Sequence, residues 1–134
     1  MTSNLSAEPS PSSVLIVDGD IVSRHVVADY LRQCGYDVVE AANTNEAMIA
    51  LQEITLSIDI ILCEVTAVGP QSCFELSNWV RAHRPELEVK LAGGLEMTAH
   101  AAAELCETGP HLKRPYEPSA VVDYIKRLRA SRLP

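Results

Sequence analysis

The sequence predicts an α/β domain: a doubly wound parallel sheet of five strands with helices on both faces. Three observations carry this reading. Five strand signals alternate along the chain with five segments of helical periodicity. The first and third apolar runs are continuous rather than alternating, which suits strands covered on both faces. The connections are short, and right-handed crossovers wind the helices around a parallel sheet.

Each element has its own local cause. Residues 1–12 are polar and rich in Pro and Ser, and read as a disordered tail; the ordered domain is expected over residues 13–131. Val14 to Val17 forms the first strand, ending at Asp18-Gly19-Asp20. Val22, Val26, Val27, Leu31 and Cys34 recur at helical spacing, and Gly35 stops that helix. Tyr36 to Glu40 is the second strand. Asn43 or Thr44 caps a helix carrying Ala47, Ile49, Ala50, Leu51 and Ile54.

Ile58 to Cys63 is the third strand, broken after Glu64. Ser72 then caps a helix whose apolar face is Phe74, Leu76, Trp79 and Val80, with Phe74 and Trp79 read as core. Val89 to Ala92 is a weaker fourth strand, stopped by Gly93-Gly94. A fourth helix is expected from Thr98 to Glu107, ended by Gly109-Pro110. Leu112 marks a fifth strand. Ser119 caps a last helix carrying Val121, Val122, Ile125 and Leu128.

Composition narrows the function. The 134 residues suffice for one domain, and 47% apolar with 22% charged residues is globular rather than disordered composition. Only 4% are aromatic, which disfavours base-stacking on single-stranded nucleic acid. The net charge of −7 disfavours phosphate-backbone binding. No apolar run is long enough to span a membrane and no signal peptide opens the chain, so a cytoplasmic location is expected. Cys34, Cys63, Cys73 and Cys106 show no CxxC spacing, and four reduced thiols are expected. His25, His83, His100 and His111 show no metal-ligand spacing. Nucleotide-loop and hydrolase motifs are absent as well.

The charge is unevenly placed. Residues 1–109 carry 5 basic and 16 acidic side chains, a net of −11, whereas residues 110–134 carry 6 basic and 2 acidic, a net of +4. Lys126, Arg127 and Arg129 sit where a helix dipole favours cations.

In parallel sheets of this kind, chemistry gathers at the carboxyl ends of the strands. Those ends hold Asp18, Gly19 and Asp20, then Glu64, then Gly93, then Arg114 and Pro115. This order, together with VLIVDGD at 14–20, CGYDVVEAANTNEA at 34–47, DIILCE at 59–64 and LKRPY at 112–116, resembles a CheY-like response-regulator receiver domain. The resemblance runs from about Ser13 to Leu128. It implies a flavodoxin-like (βα)5 fold with strand order 2-1-3-4-5, in a bacterial two-component or phosphorelay protein.

The resemblance also implies a chemistry. A phosphoryl group passes from a histidine kinase to a strand-three aspartate, with Mg²⁺ held by that residue and an acidic pair after strand one. A strand-four hydroxyl and a strand-five lysine stabilise the transferred charge. Carried over residue by residue, only Asp18 is unchanged. Gly19 replaces the second acid, with Asp20 one place on. Glu64 stands at the phosphoacceptor position, Gly93 at the hydroxyl, Arg114 at the lysine and His111 at the aromatic switch position. Glutamate sets its carboxylate about 1.5 Å further from the backbone. A misplacement of about 1 Å costs on the order of 100-fold where catalysis is positioning. Phosphorylation at Glu64 and Mg²⁺ binding are therefore not expected, and no cofactor is.

The expectation is a non-catalytic pseudo-receiver that binds a protein partner independently of phosphorylation. That partner would be a histidine kinase, a phosphotransfer protein or another signalling protein. Glu64 and Arg114 are expected to form a bidentate pair that fixes the strand-end loops in one state. By the same resemblance, the partner or homodimer surface is helix four, strand five and helix five, with Ala99, Lys113, Tyr116, Lys126, Arg127 and Arg129. Nucleic acid and membrane are not expected partners. Two alternatives stand beside this: a receiver phosphorylated at a divergent Mg²⁺ site using Asp18, Asp20 and Glu64, and the receiver portion of a longer two-component protein.

Overall fold

Strand β1 (Ser13–Val17) alternates its side chains between two buried faces, and the whole fold follows from that alternation. The computed structural model describes residues 13–53, 55–66, 72–108 and 117–131. Nine elements follow in order: β1, α1 (Ile21–Gln33), β2 (Asp37–Ala41), α2 (Thr44–Gln52), β3 (Ile60–Glu64), α3 (Cys73–His83), β4 (Glu88–Ala92), α4 (Leu95–Thr108) and α5 (Pro118–Ser131). All described strand pairs are parallel, in the order β2-β1-β3-β4. The expected fifth strand at Leu112, with His111, Lys113, Arg114, Pro115 and Tyr116, lies outside the described residues, as does the expected tail at residues 1–12.

Two cores sandwich the sheet. Val14 and Ile16 of β1, with Ile60 and Leu62 of β3, pack against α1, α4 and α5. Leu15, Val17, Ile61 and Cys63 face the other way, against α2 and α3. The central strands β1 and β3 are buried at every position, which accounts for their continuous apolar runs. Strands β2 and β4 flank them and are largely half-buried, so Asp37, Glu40, Glu88 and Lys90 are tolerated there.

The helix signals hold at most ends. Asp20, Asn43 and Ser72 cap α1, α2 and α3, and Ser72 completes a reciprocal capping box with Glu75. Gly35 closes α1 at φ 104°, where a Cβ would be strained. Two starts differ from expectation. Helix α4 begins at Leu95 rather than Thr98, because the Gly94 carbonyl already accepts the first helical bond, from Thr98 N at 3.0 Å. Helix α5 begins at Pro118, so Ser119 lies inside it; proline favours the first helical position, where its missing N–H costs nothing. Two apolar assignments also fail: Phe74 is 60% and Ile49 is 62% exposed, since each lies off the buried stripe of its helix. Trp79 is half-buried and stacks on His83 at 4.7 Å.

Helix α4 packs on the α1 and α5 side of the sheet. A right-handed crossover from β4 to a strand beyond it would carry its helix on the α2 and α3 side instead. The sheet is covered by helices on both faces, as expected, with α4 on the α1 and α5 side rather than beside α2 and α3. Two contacts hold α4 there: the Tyr36 hydroxyl donates to the Leu105 carbonyl at 2.6 Å, and Cys34 is bonded to Cys106.

That bond overturns the expectation of four reduced thiols. Cys34–Cys106 and Cys63–Cys73 are disulfides, with Cα atoms 5.3 and 6.0 Å apart. Their partners are 72 and 10 residues apart, so no local spacing motif announces them; tertiary packing alone brings them together. In the chain-entropy account they contribute about 4 and about 3 kcal/mol respectively.

Candidate functional site

The carboxyl ends of β1, β3 and β4 open into a cleft of about 520 Å³, lined by Asp18, Asp20, Ser23, Glu64, Thr66, Gly94, Thr98 and Arg129 among others. Strand register explains the convergence. Val17 lies beside Cys63, and Glu64 beside Ala92, so the residues that follow these strands emerge next to one another.

Asp18 is buried at 4% exposure. Its Oδ1 accepts the Asp20 N–H at 2.9 Å and its Oδ2 accepts the Ser23 hydroxyl at 2.8 Å. Burial pushes its carboxyl above the ordinary range. The nearby charges of Glu64 and Asp20 push the same way, and the two hydrogen bonds offset only part of this. Asp20 turns to other work. It caps α1 through Ser23 N, and its Oδ2 pairs with the Arg129 guanidinium at 2.6 Å. Partial burial would raise its carboxyl, but Arg129 and the Ser23 donors outweigh it, and the group is held below its usual range.

Glu64 is 8% exposed, and both of its oxygens are taken. Oε1 accepts from the Thr66 N–H at 3.0 Å and from the Thr66 hydroxyl. Oε2 accepts from the Gly94 N–H at 3.1 Å. One carboxylate therefore ties the turn after β3 to the turn after β4. The backbone beside it supports the same closure, since Val65 N donates to the Ala92 carbonyl at 2.8 Å.

The expected partner of Glu64, Arg114, lies outside the described residues, as do His111, Lys113 and Tyr116. Among the described residues, neutral donors hold the carboxylate. Gly93 is exposed and makes no contact with Glu64 that the geometry requires; a Cβ there would meet Val65 Cγ2 at 3.4 Å, an ordinary contact. The neighbouring Gly94 is the conformationally special glycine. Its φ of +98° suits only glycine, and its N–H reaches Glu64.

Thr66, Gly94 and Ser23 of the site are not among the residues expected there. Thr66 follows Glu64 by two positions, the spacing of a local side-chain turn, and that signal was present. Gly94 was visible only as half of a Gly-Gly stop. Arg129, expected on the partner surface, is exposed and also reaches Asp20 at the strand ends. Ala99, expected on the partner surface, is fully buried because α4 turns that face toward α1 and α5. Lys126 and Arg127 are exposed: Lys126 lies 3.7 Å from Glu96, and Arg127 stacks over Tyr124 at 5.8 Å.

The receiver resemblance implies Mg²⁺, and the donors present do not fit it. Asp18 already accepts two hydrogen bonds in a buried setting, Asp20 is paired with a guanidinium, and both oxygens of Glu64 accept from Thr66 or Gly94. No group of three or more His, Cys, Asp or Glu among the described residues is arranged to hold a metal ion. Mg²⁺ requires near-octahedral oxygen geometry, which these committed carboxylates do not offer.

Comparison with known proteins agrees with the fold. No family model matches the chain. A two-component response regulator-like protein, APRR7 of Arabidopsis thaliana, is 44% identical over 52 residues, covering 39% of this chain and 7% of that protein. A response regulator-like protein of rice (Oryza sativa subsp. indica), PRR37, is 43% identical over 65 residues, covering 48% of this chain and 9% of that protein. The chain thus spans less than a tenth of these relatives. A cyclic di-GMP phosphodiesterase of Thermotoga maritima is 32% identical over 77 residues, covering 58% of this chain and 20% of that protein. Among solved structures, a receiver domain protein of Clostridium thermocellum superimposes with a TM-score of 0.58 at 16% identity, covering 91% of this chain and 99% of that one. The chemotaxis regulator CheY4 of Vibrio cholerae gives 0.56 at 22% identity, covering 89% and 99%. The chain has the α/β, flavodoxin-like fold of response-regulator receiver domains.

Proposed function

We propose that this chain is a pseudo-receiver: a signalling module that binds a protein partner without being phosphorylated and without catalysing a reaction. One observation carries the reading. The carboxylate of Glu64, at the position where a receiver accepts phosphate, spends both oxygens on Thr66 and Gly94. Phosphoryl transfer depends mainly on positioning and charge stabilisation, and an acceptor already closed into its own loops offers neither. Gly19 in place of the second acid and Gly93 in place of the hydroxyl support the same conclusion.

In this reading Glu64 does permanently what a transferred phosphoryl group does transiently: it draws the ends of β3 and β4 together. The partner is a protein of a bacterial cytoplasmic signalling pathway, such as a histidine kinase or phosphotransfer protein. The exposed cations Lys126 and Arg127 favour an acidic docking face, with an association rate that falls as salt rises. No cofactor takes part.

Incubation of the chain with Mg²⁺ and acetyl phosphate, followed by intact mass, tests this. An unchanged mass is expected. Addition of a phosphoryl group would overturn the proposal in favour of a receiver with a divergent acceptor.

A further inference from the structure

Three carboxylates line one cleft: Asp18, Asp20 and Glu64. Two of them are met by neutral groups. The Asp20 N–H and the Ser23 hydroxyl meet Asp18, and the Glu64 latch closes on Thr66 and Gly94. Such hydrogen bonds hold a carboxylate in place and favour its charged form without cancelling the charge. Among the described residues that line the cleft, the only cation is Arg129, and it goes to Asp20, 109 residues away in sequence.

The helices aim these two groups at each other. Asp20 is the N-cap of α1, and Arg129 lies in the last turn of α5. A helix favours an anion at the first of these ends and a cation at the second. Arg129 also lies one turn beyond Ile125, which is fully buried in the core shared with α1 and α4. Residues four apart share a helix face, so the Arg129 stem leaves α5 on its inward side. Lys126, by contrast, pairs with Glu96 at 3.7 Å and does not line the cleft.

We propose that Arg129 is the resident cation of this cleft: its guanidinium takes the carboxylate that a divalent ion would need, so that α5 closes the site to metal. The inference rests on the reading of the cleft as one that works without a bound metal. It gives the misfit between these donors and Mg²⁺ a specific cause in this chain. Asp20 Oδ2 already accepts from Arg129 at 2.6 Å and from Ser23 N at 2.9 Å, so an incoming ion must displace the guanidinium. An ion that enters beside it meets a unit positive charge at close range, where repulsion is strongest. The guanidinium is also always at hand, because the chain itself holds it at a high effective concentration. Both side chains are partly exposed, 43% and 42%, so the competition is reversible.

The test is a Mn²⁺ titration of the full chain, read from paramagnetic broadening of the Asp18 and Ser23 amide resonances. Arg129→Ala is expected to raise the Mn²⁺ affinity by on the order of tenfold or more over the wild type. Lys126→Ala removes the same unit charge from the same helix, outside the cleft, and should change the affinity by less than about twofold. Asp20→Asn keeps an N-cap acceptor for α1 and should return the Arg129→Ala chain to the wild-type affinity. A wild type that binds Mn²⁺ as tightly as Arg129→Ala, an equal gain in Lys126→Ala, or a gain that survives Asp20→Asn overturns the proposal. Phosphorylation is read separately by intact mass, so a phosphorylated chain that still gains affinity on Arg129→Ala would sink the functional reading and leave this one standing.

Discussion

Oε2 of Glu64 accepts the Gly94 amide at 3.1 Å, joining the end of β3 to the turn that follows β4. The acceptor is a buried charge and the donor a backbone amide held at φ +98°, so neither side is easily replaced. A charged acceptor makes such bonds shorter and stronger than neutral ones, and losing it leaves donors on two turns without their partner.

Glu64→Ala is accordingly expected to destabilise the fold by about 1–3 kcal/mol, since it frees the Thr66 and Gly94 amides together. Urea denaturation measures it. Glu64→Gln keeps an acceptor and should lose less. A loss no larger than that of an exposed surface substitution would show that the latch is not a stabilising contact.

The two adjacent glycines separate space from backbone conformation. Gly94→Ala must adopt a left-handed φ and is expected to cost about 1–2 kcal/mol. Gly93→Ser meets only Val65 Cγ2, at 3.4 Å from its Cβ, and should change stability by less than about 1 kcal/mol. Equal costs at both positions would contradict the assignment of Gly94 as the conformationally required residue. Thermal or urea denaturation of both variants decides.

The pH dependence of Asp18 has a definite sign. Its folded carboxyl lies above the ordinary value of 3.8 because burial opposes ionisation. Between 3.8 and that raised value the folded chain holds a proton the unfolded chain has lost, so this group's contribution falls as pH rises through the window. The stability of Asp18→Asn relative to wild type should therefore improve as pH rises from below 3.8 through the window, then level off. A relative stability that worsens across it would contradict the burial argument.

Arg129→Ala tests the opposite sign. Asp20 is held below its usual range with Arg129 among the causes, so removing the guanidinium should raise the Asp20 carboxyl, readable by NMR titration. The pair is partly exposed, 43% and 42% at the side chains, and its effect on stability should stay below about 1 kcal/mol and shrink with salt. An unmoved Asp20 titration would show that the contact does not persist in solution.

How far the sequence could be read depended on whether its signals were local. The buried strands β1 and β3, the caps at Asn43 and Ser72 and the Gly35 stop announce themselves within a few residues, and they fold as expected. The face taken by α4 does not. Its alanine-rich stretch at 99–103 packs with α1 and α5, and the Tyr36–Leu105 hydrogen bond and the Cys34–Cys106 bond hold it on that side. The cysteine pairs were illegible for the same reason, as was the burial of Ala99.

The site was half legible. Topology located Asp18, Glu64 and the Gly93-Gly94 turn at adjacent strand ends. The expected Glu64–Arg114 pair rests on the proximity of strands three and five, and Arg114 lies outside the described residues. Among the described residues, the Glu64 carboxylate is met by the backbone amides of Thr66 and Gly94. The Thr66 contact has a local signal in its spacing from Glu64, whereas the direction of the Gly94 amide is set by a backbone turn and not by side-chain chemistry.

The central claim is that Glu64 closes the strand-end loops in place of a phosphoryl group. The amide resonances of Thr66 and Gly94 report it most directly, followed while the chain is titrated with beryllium fluoride and Mg²⁺. Resonances unchanged in the wild type, but displaced by Glu64→Ala before any addition, are the predicted result. A saturable, Mg²⁺-dependent shift of either amide in the wild type would contradict the account.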